Sequence, residues 1–316
     1  MNVAVIGGAG TIGATTAYTL TLLAPDADVT LVDVQDDAAE GHAIDIRTSL
    51  GHGSHPAGAM GPTGSGSVTA AAPGAEAVAD ADCIVVAASI PRPDDSAKRG
   101  GRLSFLERNG ELVDDIASWM EPIEPRPVVT VTNPLDAINH RMWRALGWDR
   151  RYCIGYALSE TARLADQVAR HADVRPSDVT CYTMGQHGEH LVPLFSRTTV
   201  EGEPITLSPD ERERISEAVK DVPYDIMALR GSEETSRWVT ARGVASLVAS
   251  VLDGGPDEPV CCSVPLDGEY GYRDLSLSVP VRLSDDGVEE IVEWELSQAE
   301  RTALDEAAEA VGELCQ

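Results

Sequence analysis

Two stretches of this sequence combine side chains suited to phosphate binding and to proton transfer. The first is Gly7-Gly8-Ala9-Gly10-Thr11-Ile12-Gly13, which follows directly on the apolar run Val3-Ala4-Val5-Ile6. Read from Gly8 it is G-x-G-x-x-G, and read from Gly7 it is G-x-x-G-x-x-G. Glycines so placed allow a tight turn, close approach of the backbone to a pyrophosphate and close packing of strand on helix. A helix opening at Thr11 and Ile12 aims its unpaired N–H groups at the phosphates. Twenty residues after Gly13 stands Asp33, at the end of the next apolar run. Its carboxylate can accept hydrogen bonds from an adenosine ribose and repels a 2′-phosphate, so the pattern predicts NAD over NADP. The second stretch runs Gly185-Gln186-His187-Gly188-Glu189-His190. A histidine titrates near neutrality and can carry the proton that accompanies hydride transfer at a hydroxyl-bearing carbon, which makes His187 the candidate. His187 and His190 also form H-x-x-H, but the flanking glycines and the lack of a third ligand argue against a metal. A reductase using Tyr-x-x-x-Lys is excluded, because Asp94 and Ser216 stand four residues before the two lysines, Lys98 and Lys220.

These residues need a scaffold that brings strand ends together. Residues 3–6, 29–34, 83–88 and 128–132 are short Val- and Ile-rich runs that read as buried strands. Residues 11–23, 35–49 and 103–120 lie between them with helical spacing. That alternation implies βαβ units, an α/β class with a doubly wound parallel sheet. Residues 51–67 read as a surface loop rich in Gly, Ser and Pro, before a short strand at 68–71. Beyond about residue 146 the character changes. Helical stretches at 159–172, 209–229 and 236–252 alternate with extended segments at 179–184, 260–266 and 275–283, and 297–314 reads as an amphipathic tail helix. The expected division is a nucleotide-binding domain at 1–146 and an α+β substrate domain at 147–316.

Four stretches in order carry a family resemblance. Gly185-Gln186-His187-Gly188 through Val192-Pro193-Leu194-Phe195-Ser196 resembles the G-x-H-G-x-x-x-V-P-x-x-S segment of the malate and lactate dehydrogenases. Arg102-Leu103-Ser104-Phe105-Leu106-Glu107-Arg108-Asn109, Asn133-Pro134-Leu135-Asp136 and Ser159-Glu160-Thr161-Ala162-Arg163 are similar to three further motifs of the same family. The resemblance implies a Rossmann-type doubly wound sheet followed by an α+β substrate domain, NAD as cofactor, a small 2-hydroxy or 2-oxo acid as substrate, and a homodimer or homotetramer. It gives Glu160 the place of the acid that orients the catalytic histidine. It gives Arg163 the substrate carboxylate, which a guanidinium grips with two parallel bonds. Arg102 falls on the closing loop that polarises the ketone. Asn133 falls beside the nicotinamide and the reacting oxygen, Asn109 joins Asn133 among the cofactor contacts, and Ser232 or Ser236 supplies a substrate-contacting hydroxyl.

Ala88-Ser89-Ile90-Pro91-Arg92-Pro93 resembles the segment in which malate-specific members hold the second carboxylate of oxaloacetate, so Arg92 favours a four-carbon dicarboxylate. The spacing from Arg92 to Arg102 is longer than the family's and implies an insertion within 93–101, where Arg99 is an alternative partner for that carboxylate. Three readings follow: a malate dehydrogenase, a dehydrogenase for lactate or another 2-hydroxy acid, or a weakly active NAD-binding relative.

Composition narrows the partners. With 24 Lys+Arg against 52 Asp+Glu the net charge is −28, which disfavours nucleic acid and anionic membrane as partners. So large an excess of carboxylate self-repels at low salt, whereas in molar salt the screening length falls to about 3 Å. Together with the near loss of lysine, this points to a protein built for a salty cytoplasm. Six cysteines without a C-x-x-C pair read as a reduced set. The apolar opening does not read as a signal peptide, since the first basic residue is Arg47, and no stretch is long and apolar enough to span a bilayer.

Overall fold

The computed structural model describes residues 1–54, 63–91, 105–231 and 236–315. The first half runs β1 (Asn2–Ile6), α1 (Thr11–Leu23), β2 (Asp28–Val32), α2 (Asp36–Ser49), β3 (Val68–Ala71), β4 (Cys83–Val86), α3 (Leu106–Trp119), β5 (Val128–Thr130), α4 (Leu135–Leu146) and β6 (Cys153–Gly155). Its six strands lie in the order β3-β2-β1-β4-β5-β6, and every neighbouring pair is parallel. Strands covered on both faces must be apolar throughout, which is why β4 is Cys-Ile-Val-Val with all four residues buried. One face packs on α3 and α4 through Ile84, Val86, Ile116, Met120, Ile138 and Met142. The other carries Leu20 of α1 and extends into the core of the second half. The chain winds outward from β1 to β3 and then crosses back to β4 on the other side of β1, so the order of the sheet switches between β1 and β4. That crevice is where a doubly wound sheet binds its ligand.

The second half runs α5 (Leu158–Ala172), β7 (Val179–Thr180), β8 (Thr183–Gly185), β9 (Leu191–Pro193), β10 (Thr199–Val200), β11 (Glu203–Pro204), α6 (Pro209–Arg230), α7 (Arg237–Leu252), β12 (Val260–Asp267), β13 (Arg273–Ser284), β14 (Gly287–Ile291) and α8 (Gln298–Gly312). The sheet continues from β6 into β12, β13, β8 and β9 with antiparallel pairing, and β14 pairs with β13. β6 and β12 meet through a single residue pair, Gly155 opposite Ser263. The segment expected as one strand at 179–184 is two. β7 joins β10 and β11 in a small separate sheet, and β8 joins the main one. The bend between them places Cys181 inside, with its Sγ 3.5 Å from the Thr161 carbonyl.

Local chemistry fixes the helix ends that bear on the site. Ser208 and Glu211 form a capping box at the start of α6, with Pro209 at the first helical position. Ser297 and Glu300 do the same for α8, and Glu300 also accepts from the Ser196 backbone and hydroxyl, tying the last helix to the chain after β9. All six cysteines are free thiols. Five are buried, and burial pushes Cys83, Cys181 and Cys262 up to about 12. Among the described residues no helix is long and apolar enough to cross a membrane.

Candidate active site

The glycine loop is shaped by close backbone contact. Gly7 takes φ +86°, and a Cβ there would lie 2.5 Å from the Ala88 nitrogen. A Cβ on Gly13 would lie 2.1 Å from the Gly7 carbonyl oxygen, so only glycine lets α1 start this close to β1. Gly7 and Gly8 both donate to the Val32 carbonyl, and Gly10 donates back to Gly7. α1 opens at Thr11 with no side-chain cap, so its first N–H groups are unclaimed by a capping side chain. Asp33 follows β2; its Oδ2 accepts the Ala9 N–H at 2.9 Å and its Oδ1 the Gln35 N–H at 3.0 Å. These bonds lock the carboxylate against the loop that Gly7 and Gly13 shape.

A cavity of about 230 Å³ opens beside this loop. Ile12, Asn133, Ser159, Arg163, His187 and Ser236 are among the residues that line it. The structure thus gathers residues from α1, the end of β5, α5, the β8–β9 loop and the start of α7 around one space. Glu160 and Arg163 sit one turn apart on α5, facing inward, with their side chains 4% and 7% exposed. Arg163 Nη1 donates to Glu160 Oε1 at 3.1 Å. The other oxygen, Oε2, is at ion-pair distance, 2.9 Å, from His187 Nδ1, and the imidazole is 10% exposed. The longer acid at 160 therefore spans the gap to the histidine. With Nδ1 on the carboxylate side, Nε2 is the nitrogen left to serve a ligand.

Asn133 follows β5 and precedes Pro134 through a cis peptide bond. Its Oδ1 is buried and has no hydrogen-bond partner among the described residues, and neither does the Ser236 hydroxyl. Two buried polar atoms without protein partners at a cavity wall are what a polar ligand would satisfy. Of the two serines expected near Gly231, Ser236 is at the cavity. Ser232 lies outside the described residues, as do Arg92, Arg99 and Arg102.

Asn109, expected among the cofactor contacts, is held by the protein's own backbone. It is fully buried on α3, its Oδ1 accepts the Ile90 N–H at 2.9 Å, and its Nδ2 donates to the Asn133 carbonyl at 2.7 Å. It braces two loops against each other from behind the cavity wall, because both ends of its amide are taken up by backbone. Three residues at the site had no role assigned from sequence. Tyr156 is buried with its hydroxyl on the Val239 carbonyl and accepting from Ser159, and burial pushes the phenol well above its ordinary range. Met227 and Thr240 line the cavity from α6 and α7. No short-range pattern marks them; they arrive through tertiary packing.

The loop glycines, Asp33 and the unpartnered Asn133 oxygen fit a dinucleotide whose nicotinamide end enters the cavity. Among the described residues no three His, Cys, Asp or Glu side chains gather as a metal-binding group.

Comparison with known proteins agrees over the whole chain. A family model described as lactate/malate dehydrogenase, NAD binding domain, matches residues 1–155, and one described as lactate/malate dehydrogenase, alpha/beta C-terminal domain, matches residues 160–313. The chain is 32% identical to the malate dehydrogenase of Haloferax volcanii over 98% of its own length and 96% of the relative's. The structure of the malate dehydrogenase from Aeropyrum pernix is similar with a TM-score of 0.87 and 26% identity, over 99% of this chain and 97% of that one. The lactate dehydrogenase of Cryptosporidium parvum, solved with lactic acid and nicotinamide adenine dinucleotide, gives 0.88 at 25% identity, over 99% and 96%.

Proposed function

This chain belongs to the lactate/malate dehydrogenase family, and from that premise we propose that it is an NAD-dependent malate dehydrogenase, interconverting malate and oxaloacetate. The observation that carries the reading is the buried Glu160–His187 pair at 2.9 Å, sharing one cavity with Arg163 beside the dinucleotide loop. Malate is favoured over lactate by full-length similarity to the Haloferax volcanii malate dehydrogenase and by Arg92, in a stretch that resembles the one with which malate-specific members hold the second carboxylate.

Gly7, Gly8, Gly10, Thr11, Ile12, Gly13 and Asp33 would hold the dinucleotide, with Asn133 at its nicotinamide end. NAD, when bound, supplies the hydride carrier. Arg163 binds the C1 carboxylate of the oxo acid and fixes the ketone toward His187. His187 Nε2 gives its proton to the developing alkoxide during reduction and takes it back during oxidation. Glu160 holds the imidazole by Nδ1 and stabilises its charged form, so the proton sits at Nε2 when the ketone arrives. The same carboxylate anchors Arg163, so the residue that binds substrate and the residue that protonates it move as one unit. By the resemblance, Arg102 would be the residue that polarises the ketone, and Ser236 offers its hydroxyl to the substrate.

The test is NADH oxidation in molar KCl with oxaloacetate and pyruvate at equal concentration. A large oxaloacetate preference is expected. A pyruvate preference would overturn the malate reading and leave another 2-oxo acid as substrate.

The exposed apolar residues Tyr18 and Leu22 on α1 and Trp238 on α7, helices that pack together, belong in our reading to a face between copies of a cytoplasmic homo-oligomer. A monomer in analytical ultracentrifugation at high salt would refute that.

A further inference from the structure

A second carboxylate stands behind His187. Asp136 lies in the first turn of α4 and is 3% exposed. Its Oδ2 accepts the His187 backbone N–H at 2.7 Å, and its Oδ1 accepts the Ser263 hydroxyl at 2.6 Å. One side chain thereby joins α4, the β8–β9 loop and β12. Three residues further along α4, Asn139 donates to the Ser263 carbonyl at 3.0 Å, which fixes the strand that Asp136 leans on. We propose that Asp136 is a positioning residue for the acid/base step: it fixes the main chain of His187 while Glu160 takes the ring, and its charge helps hold the imidazolium.

Cost supports this over a purely structural role. The two donors could be satisfied by a neutral amide, and burying a carboxylate is unfavourable unless its charge is used. That cost is visible, since burial pushes the Asp136 carboxyl up to about 6 despite the bonds from Ser263 and His187. Glu160 repels Asp136 and His187 attracts it, so both acids act on the same imidazole. Cys315 near the chain end also feels the Asp136 charge; burial pushes that thiol up to about 12, so it stays neutral. The start of α4 favours the anion as well.

The inference rests on His187 being the proton carrier of the proposed reaction, but it is tested without turnover. Asp136→Asn keeps an acceptor for the His187 N–H and removes the charge. In the full chain in molar KCl, the His187 ring is titrated by nitrogen NMR, its signal assigned by its loss in His187→Asn. The proton affinity of His187 should fall about tenfold. NADH affinity should stay within twofold, and the pH–rate profile should move to lower pH in step with the ring. A folded Asp136→Asn protein whose His187 titrates as in wild type overturns the proposal. Should that variant not fold, Ser263→Ala decides, because it leaves the charge and removes one donor. Asp136 then protonates at higher pH and His187 loses proton affinity on the acid side; an unchanged His187 titration overturns the proposal. Absence of turnover with any 2-oxo acid would defeat the proposed function and leave the NMR result standing.

Discussion

Replacing Glu160 by Gln puts a number on what the acid contributes. The substitution keeps the shape of a side chain that is 4% exposed and removes the negative charge 2.9 Å from His187 Nδ1. Unit charges about 4 Å apart in a protein-like medium interact by about 4 kcal/mol. The amide fills the same space without the charge, so roughly 3–4 kcal/mol of imidazolium stabilisation is lost, which is about 10²- to 10³-fold in rate. The assay is steady-state oxaloacetate reduction together with NADH binding followed by nucleotide fluorescence. The expected result is kcat/KM down by that factor with NADH affinity nearly unchanged, since Glu160 lies on α5, away from the glycine loop. Weakened support for Arg163, now 3.1 Å from Glu160, should also raise KM for the oxo acid. Glu160→Asp should fall between Gln and wild type, because one methylene fewer opens the gap that the longer acid closes here. A Gln variant within threefold of wild type would refute the account, placing orientation of the histidine elsewhere.

Three further outcomes follow from the geometry. Gly13→Ala drives a methyl to 2.1 Å from the Gly7 carbonyl, so α1 must shift; NADH affinity measured by titration should weaken by tenfold or more. Asp33→Asn removes the charge that repels a 2′-phosphate, and the NADPH-to-NADH ratio of kcat/KM should rise about tenfold. Glu269→Gln breaks a two-pronged pair with Arg150, at 3.0 and 2.6 Å, which holds the Glu269 carboxyl down to about 2 from its ordinary 4.5. A depressed carboxyl stabilises the fold above its unfolded value and loses that contribution as pH falls from 4.5 toward 2. With Arg150 a third exposed, screening reduces this to about 1–2 kcal/mol, so denaturant midpoints of variant and wild type should differ at pH 7 and converge below pH 4.5.

Much of the first half was legible because a strand buried on both faces must be apolar at every position. Residues 83–88 and 128–132 were recognisable as strands, although each ends two residues early, at Val86 and Thr130, where the chain leaves the sheet to form the cavity wall. β6 was not legible, since three residues bounded by Tyr152 and Tyr156 carry no period. In the second half, residues 179–184 looked continuous because alternation does not reveal that the chain changes sheet at Cys181. The side chains proposed for catalysis lie in local motifs, as with Glu160 and Arg163 one turn apart. Asp136 was visible only as the last letter of Asn133-Pro134-Leu135-Asp136. Its partners are 51 and 127 residues away, and no local pattern encodes such bonds. The bracing bonds of Asn109 were hidden too, because motif membership does not say whether a side chain faces a cavity or braces its wall.

The single-residue joint between β6 and β12 has a consequence for recombining this protein with its relatives. A crossover just after Gly155 is the obvious place to graft a different coenzyme-binding half. A Cβ on Gly155 would lie 2.8 Å from that of Ser263, so the joint tolerates only matched small residues. Asp136 would come from one parent, while Ser263 and His187 would come from the other. A hybrid could therefore fold both halves and bind its coenzyme, yet hold its histidine out of line. The heritable unit of activity is the set that meets across the joint, so Asp136, Gly155 and Ser263 have to be exchanged together.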